Sequence, residues 1–169
     1  GVVHDPREAL AVGRTGLDFA GRIGRRSDAI IILGNAAVAA LRVGDWDWIA
    51  TKVQEALGHD MDEGDRVVLL EPMIALGALR GDPVDSALAE IEAVSGAATD
   101  IQQQAAAHNS RGYVAFAGGR FDDAVAAWRT AGSLDRTTRT PSRRPIWRYI
   151  SRQKSAAFVA KFFLKASTA

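Results

Sequence analysis

Apolar residues recur along most of this chain at three- and four-residue intervals, the period of a helix buried along one side. The clearest stretch runs from Gly118 to Leu134: a glycine turn, then Phe121, Ala124, Trp128 and Ala131 on one face, with Asp123 and Arg129 on the other. The same turn-then-helix device stands upstream at Gly44-Asp45-Trp46 and Gly81-Asp82-Pro83, at spacings of 37 and 38 residues. Recurrence at so nearly constant an interval predicts a helical repeat.

The remaining elements follow from local signals. Asp5-Pro6-Arg7-Glu8 predicts a helix start, with Asp5 as cap and proline in the first turn, and Leu10, Leu17, Phe19, Ala20 and Ile23 carry its stripe to Gly24-Arg25-Arg26. Ser27-Asp28 predicts the next cap, and the nearly continuous apolar run from Ile30 to Val43 a buried helix. Trp46, Ile49, Val53 and Ala56 mark one face of a helix ending at Leu57. The acidic link 58–65 leads into a helix from Arg66 to Arg80, where Pro72 predicts a kink or a broken turn near Glu71. Asp82-Pro83 predicts the start of a helix reaching Val94, with Ala87 and Ile91 inward, and Asp100 that of one reaching Ala117, with Asn109, Tyr113 and Phe116 on one side. The reading is all-α: a lone helix at about 5–25, antiparallel hairpins at about 28–58, 63–96 and 99–135, and a tail from 136 to 169.

Charge changes this picture at one place. The net charge is only +1, yet residues 1–135 hold 12 basic and all 20 acidic residues, while 136–169 hold 9 basic residues and no acid. The tail begins as a Thr-, Arg- and Pro-rich loop and continues into a candidate amphipathic helix, Ile146 to Leu164. It admits three readings: a nucleic-acid binder with Trp147 and Tyr149 as stacking groups, a segment for an anionic membrane or partner, or repeat sequence displaced into another reading frame. With no cysteine, thiolate chemistry and disulfides are excluded, and the expected compartment is the cytoplasm. No stretch reads as a membrane span or a signal peptide, and the missing initial Met predicts a piece of a longer protein.

These residues resemble the tetratricopeptide repeat, a two-helix unit of about 34 residues. In the unit starting at Ala105, Gly112 matches the small position of the first helix, Gly119 and Phe121 the turn, and Ala124 and Trp128 the A-x3-F of the second helix. The departures are His108, Arg111, Ala115 and Arg136 at the Trp, Leu, Tyr and Pro positions. Leu33, Ala36, Ala37, Gly44, Trp46 and Ala56 match in the unit from Ile30, and the middle unit needs one inserted residue at Pro83. Small residues at Ala37, Gly112 and Ala124 are expected where helices cross, and Trp46 and Trp128 are expected to fill the space between hairpins. The resemblance implies a short right-handed solenoid, and the longer-than-standard units, together with a leading helix that reads as the second helix of a hairpin begun before residue 1, are similar to the arrays of large bacterial regulators that join an ATPase to a LuxR-type or adenylate-cyclase-type effector.

Chemistry is sparse. No phosphate-binding G-x4-G-K-[ST] loop occurs, and His4, His59 and His108 have no metal-ligand spacing. Asp60, Asp62, Glu63 and Asp65 resemble part of a calcium loop but lack its closing glutamate, so they read as an acidic helix start. Glu71, Glu90 and Glu92 read as solvated helix residues. The expectation is a non-catalytic interaction module without cofactor or metal. By the resemblance, the first helices of the hairpins line a groove for a peptide or partner helix, on a face that includes Val38, Arg42, Asn109, Tyr113 and Phe116. The alternative is the sensor part of a signalling ATPase or nucleotide cyclase whose catalytic domains lie outside this chain.

Overall fold

A computed structural model describes residues 5–137, with side chains to Leu134. Its described residues form seven helices and no strand: α1 (Pro6–Arg22), α2 (Arg26–Val43), α3 (Trp46–Leu57), α4 (Glu63–Arg80), α5 (Asp85–Ala97), α6 (Ile101–Ala117) and α7 (Phe121–Thr137). None is long and apolar enough to cross a membrane.

The recurring glycine turn has one construction. Gly44, Gly81 and Gly119 adopt φ of 81°, 80° and 74°, a left-handed conformation that costs glycine nothing and other residues much. The next N–H in each case, Asp45, Asp82 or Arg120, donates to the carbonyl five residues back, Ala40, Gly77 or Ala115, at 2.9–3.0 Å. Carbonyls orphaned at the helix end are thereby satisfied, and the chain reverses within two to four residues. A fourth copy, unforeseen in the sequence pattern, closes α1: Gly24 has φ of 69° and Arg25 donates to Ala20.

Helix starts depart from expectation by a few residues. Asp5 caps α1, its carboxylate accepting from Arg7, as its sequence implied. α2 begins at Arg26, before Ser27, so that Asp28 lies in the first turn and pairs with Arg25 at 2.8 Å. α4 begins three residues early because Asp62 caps it, accepting from the Asp65 N–H at 2.7 Å; the acidic cluster therefore serves a helix N-terminus. α5 begins at Asp85, and Pro83 stays in the link.

Pro72 does not break α4, which runs unbroken from Glu63 to Arg80. Proline removes the N–H that the Val68 carbonyl, four residues back, would accept. Gly34 of α2 packs at that point: a Cβ placed on it would lie 2.5 Å from Val68 Cγ1 and 3.4 Å from the Val68 carbonyl oxygen. The absent side chain lets α2 cover the turn that proline loosens.

The helices pack in a defined order: α2 on α4 and α4 on α6, α3 against α2 and α4, α5 against α4 and α6, with α1 on α2 and α7 on α6. The core runs along this series, from Leu33, Ala37, Ile49, Val53 and Leu69, through Val67, Ile74 and Ile91, to Ala115, Ala124 and Trp128. Val53, Ile91 and Trp128, at intervals of 38 and 37 residues, are buried side chains of α3, α5 and α7. Ala37 and Ala124 are buried as well.

Trp46 is only half-buried. Its indole N–H donates to the Leu41 carbonyl at 3.2 Å, and the guanidinium of Arg80 stands 5.9 Å from its ring while pairing with Asp47. Arg14 of α1 repeats the arrangement, pairing with Asp45 and standing 4.8 Å over Trp48. The sequence Asp45-Trp46-Asp47-Trp48 thus receives one arginine from α1 and one from α4, tying both to the start of α3.

The helical backbone of α7 passes the expected boundary at 135 and reaches Thr137. The readings of the basic tail beyond that point lie outside the described residues.

Candidate interaction surface

The first helix of each expected hairpin, α2, α4 or α6, carries equivalent positions at the spacing of the glycine turns. Gly34, Glu71 and Asn109 form one such set, and Val38, Ala75 and Tyr113 the next. Since α4 packs against both α2 and α6, these residues follow one another across the three helices.

Val38 and Arg42 are half-buried on α2; Asn109, Tyr113 and Phe116 lie on α6. The expected face is therefore divided between two helices, with α4 packed against both. Asn109 is buried, 6% exposed, and its amide Nδ2 donates to Oε1 of Glu71 at 3.3 Å. Tyr113 stands edge-on to the Trp128 ring at 5.7 Å and packs against the core on both sides of it. Phe116 lies 6.0 Å from Trp128 and 5.6 Å from Phe121, so these aromatic rings bind α6 to α7.

Glu71 corrects the sequence reading, which placed it in solvent. It is buried, 9% exposed, because its position in α4 faces α6 and not the outer surface. A carboxylate so placed needs hydrogen-bond donors, and Asn109 supplies one. The available signal was the spacing of the glycine turns, since Glu71 lies 38 residues before Asn109. Glu90 and Glu92 are half-buried, each paired across helices, Glu90 with Arg66 of α4 and Glu92 with Arg111 of α6.

Burial pushes the Tyr113 phenol well above its ordinary range, and the nearby Glu71 carboxylate adds to the shift by opposing a second negative charge. A pKa raised in the folded state stabilises the fold fully below the unfolded value near 10 and progressively less above it. Stability attributable to Tyr113 is therefore expected to hold to about pH 9 and to decline from about pH 10 upward. Denaturant midpoints across that range, compared with Tyr113→Phe, check this, because the variant should lose the dependence contributed by the phenol. His108 is shifted downward by burial and by Arg111, with Glu92 opposing, and no three metal-ligating side chains cluster among the described residues.

No protein-family model, curated protein or solved structure matches this chain.

Proposed function

We propose that the chain is a short right-handed tetratricopeptide-like solenoid of antiparallel hairpins that acts as a non-catalytic protein-interaction module, of the kind that bacterial signalling and transcriptional regulators carry beside their effector domains. The observation that carries this reading is the common register of turn and face. The left-handed glycines recur at 37 and 38 residues, and Val38, Glu71, Asn109 and Tyr113 follow that spacing on helices packed in series. The occupant of the groove is an extended peptide or a partner helix, held by Arg42 and by the surface that Val38, Tyr113 and Phe116 leave uncovered, Asn109 being buried against Glu71.

Asn109 and Tyr113 are built into the fold, so their removal would perturb folding together with binding. Val38 and Arg42 are the better probes. Screening a displayed library of peptides of about twelve residues is expected to enrich ligands that bind the whole chain and lose roughly tenfold affinity with Arg42→Glu or Val38→Asp at unchanged helical content. A library that enriches no ligand, or ligands indifferent to both substitutions, overturns the groove. Tight binding of ATP in calorimetry overturns the module reading in favour of a nucleotide-dependent one.

A further inference from the structure

Four large hydrophobic side chains of the described residues are exposed, and three lie on α1 and the turn that closes it: Val12 at 59%, Phe19 at 55% and Ile23 at 53%. Spacings of seven and four residues put them on one face, directed away from the side through which Leu10, Leu17 and Ala20 join the core. Such a stripe at helical spacing is a docking face, not the scatter of single apolar residues usual on a surface.

The stripe is self-complementary when a second α1 lies against it antiparallel. Thr15, small and exposed, stands beside its middle, where two helix axes would approach most closely, while Gly16 next to it faces Ile32 of α2. Turning one helix about that point sets Val12 against Phe19 of the other copy, twice. The charges flanking the stripe agree: Asp5 and Glu8 are at its start, Arg22 at its end, and all three are exposed. Neither Glu8 nor Arg22 has an ion-pair partner among the described residues. Antiparallel pairing brings Glu8 of each copy to Arg22 of the other and sets the two helix dipoles antiparallel, each N-terminus beside the other C-terminus. A parallel pair would set acid on acid and base on base.

We infer that α1 is a homodimerisation face, with a second copy of this chain as its occupant, docked as an antiparallel α1 pair through Val12, Phe19 and Ile23. The dimer leaves α2, α4 and α6 uncovered, so this inference stands apart from the groove. Three apolar side chains and two ion pairs make a small interface, with dissociation expected in roughly the micromolar range.

Sedimentation equilibrium on the whole chain from about 1 to 300 μM should show the mass rise from 18.0 kDa towards twice that value. Phe19→Glu, a change at an exposed site, should hold it monomeric with unchanged helical content. Glu8→Arg and Arg22→Glu should each weaken the dimer about tenfold, and their combination should restore it. The two positions are about 21 Å apart along one helix, so restoration has to come from the other copy. Because the chain has no cysteine, Val12→Cys mixed with Phe19→Cys should form a disulfide-linked dimer on oxidation, whereas Val12→Cys alone should not. A monomer at every concentration overturns the inference and leaves the stripe to a different partner. A dimer indifferent to Phe19→Glu, or one that Val12→Cys alone cross-links, overturns it as well.

Discussion

Replacing Trp128 by alanine is expected to destabilise the protein by about 3–5 kcal/mol, the range for deleting a large buried aromatic side chain. The indole is 7% exposed and closes the end of the core against Ala115 and Ala124. Burying roughly 200 Å² at about 25 cal/mol/Å² contributes on the order of 5 kcal/mol, an upper bound because the unfolded chain already hides part of that area. Its ring contacts with Tyr113 and Phe116 are lost together with that area. Since α7 is held chiefly by α6, the damage should be local at first. Thermal melting should show a loss on the order of 10–20 °C, and amide exchange should show α7 opening before the rest. A variant with unchanged melting temperature would remove Trp128 from the core and with it the repeat register.

Valine at Gly112 is expected to cost about 1–3 kcal/mol, although valine is a better helix former than glycine. A Cβ at that position would lie 2.6 Å from Cδ1 and Cε2 of Trp128 and closer still to its Nε1. The ring cannot easily retreat, because Tyr113 and Phe116 stand against it. Gly96 in α5 provides the opposite case: a Cβ there meets nothing within 4 Å, so Gly96→Ala is expected to stabilise by about 0.5–1 kcal/mol. Denaturant unfolding of both variants distinguishes packing from propensity. Combining Gly112→Val with Trp128→Leu should cost less than the two changes separately, since the smaller side chain vacates the space the valine needs. Strict additivity would show that the two residues do not touch.

The residues of the expected face differ in how far the sequence alone places them, for a plain reason. Asn109, Tyr113 and Phe116 stand at intervals of four and three, and helical periodicity places them on one side of α6 without reference to any other element. Glu71 reads as solvated because an ionised side chain is seldom buried without a partner, and its own helix names none; in the fold it sits among residues buried on several sides, next to a proline that does not break the helix. Only the approach of α6, with Asn109 offering an amide, makes a carboxylate tenable there. Pro72 likewise is tolerated through Gly34, which lies 38 residues upstream on another helix.

What the chain alone decides is local. Left-handed turns need glycine at Gly44, Gly81 and Gly119, helix starts need acceptors such as Asp5, Asp62 and Asp100, and the apolar period chooses helix over strand; each depends on neighbours within a few residues. Packing between helices is decided elsewhere, by side chains 16 to 38 residues apart. Trp128 fits because Gly112 is bare, Glu71 is held because Asn109 reaches it, and Arg14 and Arg80 meet at one Asp-Trp turn because α1 and α4 both pack beside it. The face of α1 shows the division most clearly. Val12, Phe19 and Ile23 are apolar in the sequence like any core stripe, and only the packed structure reveals that no helix of the described chain covers them.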